Sequence, residues 1–331
     1  MSLFFRPLSH ALGAEVQGVD LSLPLSNSEF DRIHRTFLER GILLFRDQKI
    51  TREQHIAFSR RFGELDRHDS LPRDRHPDYP ELLLVTNIPE EDGKPSASKY
   101  TGQQWHSDMS FTLAPSLGSL LRGIVIPPVG GDTMFTNMYR AYDTLSDGMK
   151  AMIEPLHAIH TGRRKVEEEN SEREKEQTRL NPPIAQPVVR VHPETGRKAL
   201  YVGEKVSCFV GMTPEESKPL IDYLVKHATR PQFVYRHQWR QDDIVLWDNR
   251  CTMHIALGDY EEGGARHLQD LLELPASSAE LRGEPAREWE VVVDQRLERR
   301  GVGQYGNGRH GTLSKRSHGC CSTTLSVTPG R

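Results

Sequence analysis

The chain has 331 residues, enough to bury a sizeable core in one large domain or two small ones. With 43 Lys and Arg against 46 Asp and Glu, its formal net charge is -3, so no basic excess exists to neutralise nucleic-acid phosphates or an anionic membrane surface. Cys208, Cys251, Cys320 and Cys321 show no CxxC spacing, and adjacent Cys320 and Cys321 are poorly placed to bridge each other; thiolate zinc is disfavoured and a reduced, cytoplasmic setting is expected. The opening MSLFFRPLSHALGAEV has only a brief apolar start, which suits neither a signal peptide nor a membrane span.

Capping signals place the first elements. Ser26 and Glu29 form a capping-box pattern, and Phe30, Ile33, Phe37 and Leu38 recur at helical spacing until Gly41. Residues 42–45 (ILLF), between Gly41 and Asp47, read as a buried strand. Thr51 and Gln54 repeat the capping box ahead of Ile56, Phe58 and Phe62, with Gly63 as the expected end. Strand-like runs follow at 82–85, 105–111, 119–126, 133–136, 188–191, 200–202, 233–236 and 244–247, separated by turn-formers such as 127–132 and 192–196. Thr213-Pro214-Glu215-Glu216 caps a helix that carries Leu220, Tyr223, Leu224 and His227 on one face. The polar stretch 163–180 reads as a solvated helix or insert. The expected fold is mainly β with flanking helices, a sandwich or jelly roll rather than a parallel sheet. One domain is expected over 1–275, followed by an atypical, partly disordered tail at 276–331 rich in Arg, Gly, Ser and Glu.

Two pieces carry chemistry. In the run 105–111, His106 and Asp108 are two residues apart, so a strand would point both to one face, where they can share a metal. The apolar strand at 244–247 leads through Asp248-Asn249-Arg250 to His254. Two imidazoles and one carboxylate leave three coordination positions open, a pattern suited to non-haem Fe(II) rather than structural zinc. Trp105, Trp247 and Phe111 beside these residues read as core packing.

With these motifs in order along the chain, the sequence resembles the taurine dioxygenase and 2,4-dichlorophenoxyacetate dioxygenase family from about Leu8 to about Leu274. The resemblance is carried by Gly13-Ala14-Glu15-Val16 with Gly18-Val19-Asp20-Leu21, and by Phe58 through Gly63. It continues in Trp105 through Phe111, Gly130-Gly131-Asp132-Thr133, Asn181-Pro182-Pro183, Val191-His192-Pro193 and Trp247 through His254. It implies a double-stranded β-helix (jelly roll), Fe(II) on His106, Asp108 and His254, and 2-oxoglutarate as co-substrate. It further implies that Thr133 hydrogen-bonds the 2-oxoglutarate and that Arg266, twelve residues after His254, pairs with its distal carboxylate. His68 falls where the taurine enzyme contacts substrate. The implied reaction is hydroxylation of a small organic substrate by O2 with release of succinate and CO2, with C–S, C–O or C–N cleavage where the product is unstable. Self-association stays open; nucleic acid and membrane are not expected partners.

One position departs from the family. Members that bind sulfonate or carboxylate substrates carry a second arginine four residues after the first, where this chain has Asp270. A carboxylate there would repel an anionic substrate. Either the substrate is not anchored by an acid group there, or another residue supplies the charge, or the segment beyond about residue 268 is not family sequence. A catalytically impaired relative that binds metal without turnover, or a jelly-roll metal protein of another kind, stays open at this point.

Overall fold

Both capping boxes form. In the computed structural model, which describes residues 3–69, 74–89, 96, 102–162, 179–260 and 264–273, the Ser26 hydroxyl accepts the Glu29 N–H while the Glu29 carboxylate takes the Ser26 N–H. This starts α1 (Asn27–Arg40), which Gly41 closes at φ 69°. Thr51 and Gln54 do the same for α2 (Arg52–Ser59). That helix ends before the expected Gly63, because the Arg61 and Phe62 N–H groups bond three residues back, to Phe58 and Ser59, and tighten the last turn. The further helices are α3 (Met138–Asp143), α4 (Asp147–Ile153) and α5 (Pro214–Ala228), the last capped by Thr213 with Pro214 in its first turn.

The strands in chain order are β1 (Phe4–Pro7), β2 (Ala14–Gln17), β3 (Ile42–Phe45), β4 (Leu82–Thr86), β5 (Gly118–Val125), β6 (Thr133–Asn137), β7 (His157–His160) and β8 (Ile184–Pro187). They continue with β9 (Val189–Val191), β10 (Lys198–Leu200), β11 (Val206–Phe209), β12 (Val234–His237), β13 (Ile244–Asp248), β14 (Thr252–Ala256) and β15 (His267–Glu273). The main sheet has the order β1-β2-β3-β13-β5-β15-β4, and a smaller sheet has the order β12-β6-β14. Strands β11-β7-β8 form a third sheet, and β9 and β10 pair as a hairpin around the 192–196 turn. The chain is thus mainly β with a few helices.

Central strands of the main sheet are covered on both faces, which explains why ILLF and IVLW are continuously apolar rather than alternating. Leu43, Phe45, Ile244 and Leu246 pack with Ile33, Phe37, Ile56 and Phe58 of α1 and α2. Ile42, Leu44, Val245 and Trp247 point the other way, onto Phe135 of the smaller sheet. The seam between these sheets is where the site residues converge.

Three expectations need correcting. Residues 105–111 are not a strand: His106 alone makes a bridge, to His254, and the chain then turns, with Met109 at φ 48°. The 200–202 strand stops at Leu200, because residues 201–203 leave the hairpin to pack on the site. The segment beyond residue 268 belongs to the sheet, since β15 pairs with β4 on one side and β5 on the other. The tail and nearly all of 163–180 lie outside the described residues. No helix among the described residues is long and apolar enough to cross a membrane.

Candidate metal centre and co-substrate site

His106 and His254 meet across the bridge that replaces the expected strand. Each donates its N–H to the other's carbonyl, at 3.0 and 2.8 Å, which brings the imidazole centroids to 4.2 Å. The turn after His106 swings Asp108 back, so that its Oδ1 lies 3.4 Å from His106 Nε2 and 3.7 Å from His254 Nε2. Neighbouring donors around one ion with bonds of about 2.1 Å at right angles stand roughly 3 Å apart, so this donor set fits a single metal on one face. The three predicted ligands are together, although turn geometry, not strand alternation, unites His106 with Asp108.

Protonation states suit coordination. His106 Nδ1 donates to the Gln104 carbonyl at 2.6 Å, which leaves the Nε2 lone pair free for a metal. Burial pushes His254 down to about 3, keeping it a neutral imidazole. Burial alone would raise Asp108, but the adjacent His254 and His106 hold its carboxyl well below the usual carboxylate range. Its second oxygen is engaged: Ser119 Oγ, on β5, donates to Asp108 Oδ2 at 2.8 Å. Asn249 in turn donates to Ser119 Oγ at 2.8 Å, and its Oδ1 accepts from the Asp108 N–H and from Trp247 Nε1. Ser119 and Asn249 were not singled out from sequence; Asn249 stands inside the Asp248-Asn249-Arg250 motif, but nothing in its spacing shows that it reaches Asp108.

Thr133 shares a face with His254, and Arg266 lies beside Gly131, two residues before Thr133. In the β6–β14 pair, Thr133 is opposite Ala256 and Phe135 is opposite His254. Directly paired residues share a face, so Thr133 looks the same way as His254. Its Oγ1 accepts from Trp239 Nε1 at 2.9 Å, leaving the hydroxyl hydrogen to donate elsewhere. Arg266 is 6% exposed, and its Nε donates to the Gly131 carbonyl at 3.2 Å. A Cβ on Gly131, at φ 71°, would come within 3.2 Å of the Arg266 side chain, so glycine lets the guanidinium pass. Burial lowers Arg266 to about 10, and among the described residues no carboxylate forms an ion pair with it. A buried guanidinium with no ion pair among the described residues can take a carboxylate from a ligand.

A second cluster, His192, Asp248 and Cys251, also has metal-like spacing. Its donors are already committed. Arg250 grips both Asp248 oxygens at 2.8 and 2.7 Å, His192 Nε2 is 2.9 Å from Oδ2, and His192 Nδ1 accepts the Glu194 and Thr195 N–H groups. This is a closed ion-pair network that shapes the turn leading to His254.

His68 is fully buried, with Nε2 2.8 Å from the Glu81 carbonyl and no partner on Nδ1; no contact among the described residues joins it to the metal ligands. Asp270 is 6% exposed and lies between Leu268, which faces the sheet seam, and Leu272, which packs on Met109 and Phe111 just after Asp108. Its carboxylate therefore belongs to the inner face of β15. On the other flank, a small cavity of about 10 Å³ is lined by the candidate ligand His106 with Ser110, His160, Tyr201, Gly203 and Lys205. As expected, Trp247 is core, its ring 4.8 Å from that of His254.

A mainly β chain that converges two imidazoles and a carboxylate, with a buried arginine beside Gly131, has the parts of an oxygenase that works with a metal and a 2-oxo acid. The chain belongs to the taurine catabolism dioxygenase TauD, TfdA family, whose model matches residues 5–272, and is a 2-oxoglutarate-dependent dioxygenase. It is 34% identical over 264 residues to the alpha-ketoglutarate-dependent 2,4-dichlorophenoxyacetate dioxygenase of Cupriavidus pinatubonensis, covering 77% of this chain and 92% of that one. It is 35% identical over 269 residues to an alkylsulfatase of Acinetobacter baylyi, covering 78% of this chain and 81% of the relative. Among solved structures, AAD-2 in complex with Mn(II) and N-oxalylglycine superposes with a TM-score of 0.72 at 32% identity, over 84% of this chain and 98% of that one. The family match runs through Asp270, so that aspartate stands within family sequence.

Proposed function

We propose that the chain binds Fe(II) through His106, Asp108 and His254, and that it hydroxylates a small organic substrate on a double-stranded β-helix scaffold. The observation that carries the metal assignment is the convergence of His106 Nε2, Asp108 Oδ1 and His254 Nε2. Two neutral nitrogens and one carboxylate oxygen suit Fe(II), and three open positions leave room for a chelating co-substrate and O2. In net terms, R–H, O2 and 2-oxoglutarate give R–OH, succinate and CO2. One oxygen atom enters the substrate C–H bond and the other enters the new succinate carboxylate. The metal supplies activation of O2 coupled to oxidative decarboxylation of the 2-oxo acid.

The protein's residues orient and enclose. Arg266 holds the distal carboxylate of 2-oxoglutarate by a forked, charge-assisted pair, and the Thr133 hydroxyl donates beside it. The Ser119–Asn249 clamp keeps Asp108 Oδ1 turned to the metal. Trp247 and Phe135 wall off water behind His254. The resemblance supports His68 as a substrate contact, and its unpartnered Nδ1 is a spare hydrogen-bonding atom for that role. Where the hydroxylated carbon carries an ether, sulfonate, sulfate ester or amine, the product collapses with cleavage of that bond, as the names of the relatives imply for them. Free Cys208 and Cys251 accord with a cytoplasmic location.

Anaerobic titration of the purified protein with Fe(II) and 2-oxoglutarate tests this. A weak visible charge-transfer band is expected, and His106→Ala is expected to lose it. Folded protein that never develops the band would overturn the proposal.

A further inference from the structure

We propose that Arg236, half-exposed at one end of the smaller sheet, is a positioning residue for the co-substrate. It engages Asp132 and Asp259 and, through Gly131, keeps the Arg266 guanidinium aimed and open to the distal carboxylate. This rests on the role proposed above for Arg266 and adds the residue that sets it.

Three strand ends of the smaller sheet meet beside Arg266. Asp132 stands just before β6, Arg236 lies in β12, and Asp259 follows β14. Arg236 joins the other two. Its Nε donates to Asp132 Oδ2 at 2.6 Å, and a terminal nitrogen donates to Asp259 Oδ2 at 2.8 Å. The other carboxylate oxygen of Asp259 accepts the Gly131 N–H at 3.0 Å. Gly131 then offers its carbonyl to Arg266 Nε at 3.2 Å, so one residue links the clasp to the guanidinium. With Nε held there, a ligand's carboxylate is left to the two terminal nitrogens. A Cβ on Gly130, at φ 77°, would collide with the Asp259 carbonyl oxygen, so only glycine lets these two segments lie so close.

An exposed ion pair contributes little to stability by itself, and the Arg236 side chain is 49% exposed. Its place matters more than its strength. Burial lowers Arg266, while Tyr260, Asp132 and Asp259 act against that, so both carboxylates stand near enough for their fields to reach the guanidinium. Arg236 keeps the two engaged elsewhere. A carboxylate released from it would be drawn to the buried guanidinium and would compete there with the co-substrate. Gly131 would also lose the anchor of its N–H, and a forked pair tolerates little misalignment. Both effects fall on the distal carboxylate and spare the 2-oxo acid end of the molecule.

The test loads the full chain anaerobically with Fe(II) and titrates 2-oxoglutarate or 2-oxovalerate, which keeps the 2-oxo acid but ends in a methyl group. The visible chelate band gives a dissociation constant for each acid. Arg236→Gln is expected to weaken 2-oxoglutarate by about tenfold, the scale of one charge-assisted contact, and to leave 2-oxovalerate unchanged. Asp259→Ala is expected to show the same selective loss. On an Arg266→Met background, Arg236→Gln is expected to add nothing, since its target is gone. The inference is overturned if Arg236→Gln leaves 2-oxoglutarate binding unchanged, weakens both acids alike, or keeps its full effect on that background. If the band forms in the unsubstituted protein but favours neither acid, the role proposed for Arg266 fails and the inference falls with it. If neither acid produces the band, it is the metal and co-substrate assignment itself that fails.

Discussion

Ser119 Oγ donates to Asp108 Oδ2 across 2.8 Å, tying the proposed carboxylate ligand to strand β5 inside the main sheet. Asn249 closes the triangle by donating to the same Ser119 oxygen and accepting the Asp108 N–H. Without this clamp the carboxylate can rotate and offer the wrong oxygen. Partners that orient metal ligands typically govern affinity by about 10–100-fold. Ser119→Ala is therefore expected to weaken Fe(II) binding by a factor in that range while leaving the fold intact. An anaerobic Fe(II) competition titration checks it, and unchanged affinity would show that the clamp is incidental.

Arg266 makes a prediction with two signs. It is buried, and among the described residues no carboxylate pairs with it, so its charge lowers the stability of the ligand-free protein and, in the role proposed for it, raises affinity for 2-oxoglutarate. Arg266→Met is expected to raise the KM for 2-oxoglutarate on the order of 100-fold, from losing about 2–5 kcal/mol of a charge-assisted pair. The ligand-free variant is expected to melt no lower than the parent. A thermal melt without co-substrate, set beside steady-state kinetics, separates the two effects. A lower melting point would mean that the guanidinium is structural instead.

Much of the site was legible because its chemistry is local in sequence or spaced in a known pattern. The convergence of His106, Asp108 and His254 was readable from motifs, while the roles proposed for Arg266 and Thr133 rest on the resemblance that those motifs support. Helices α1, α2 and α5 were readable because capping residues act within a few positions of one another. The wrong assignment at 105–111 arose because a two-residue spacing serves a turn as well as a strand; only the pairing of His106 with His254, far away in sequence, decides between them. Ser119 and the reach of Asn249 to Asp108 carried no local signal. Their roles come from strands and loops meeting across long separations. Short strands such as β7 and β11 escaped for the same reason, since partners rather than propensity define a four-residue strand.

Arg250 is the hub of the buried ion-pair network. It holds both oxygens of Asp248 and also donates to Glu194 Oε1 at 2.6 Å. Removing the cation alone leaves Asp248 ionised and buried beside His192, and breaking such a pair typically costs about 3–5 kcal/mol. Arg250→Met is expected to lose stability in that range in a urea titration. Replacing Asp248 in the same chain is expected to return part of the loss, because no charge is then stranded. A purely additive double variant would remove the coupling.

Glu194 gives the pH dependence. The hydrogen bond with His34 and the pair with Arg250 hold its carboxyl down to about 2 against the opposing effect of burial, from an ordinary value of 4.5. A carboxylate with a depressed folded-state pKa contributes stability that is fully present above its unfolded value and is lost as pH falls toward the folded one. Its side chain is 33% exposed, so after allowance for solvent screening the contribution is about 1–2 kcal/mol. Glu194→Gln is therefore expected to be less stable than the parent by about that amount at pH 6. The gap should begin to close below about pH 4.5 and shrink steadily toward pH 2, since the parent loses what the variant never had. Urea titrations of both proteins at pH 6, 4 and 3 follow this directly. A gap that stays constant across those three values would mean that Glu194 acts by packing and hydrogen-bond geometry, with its charge contributing nothing.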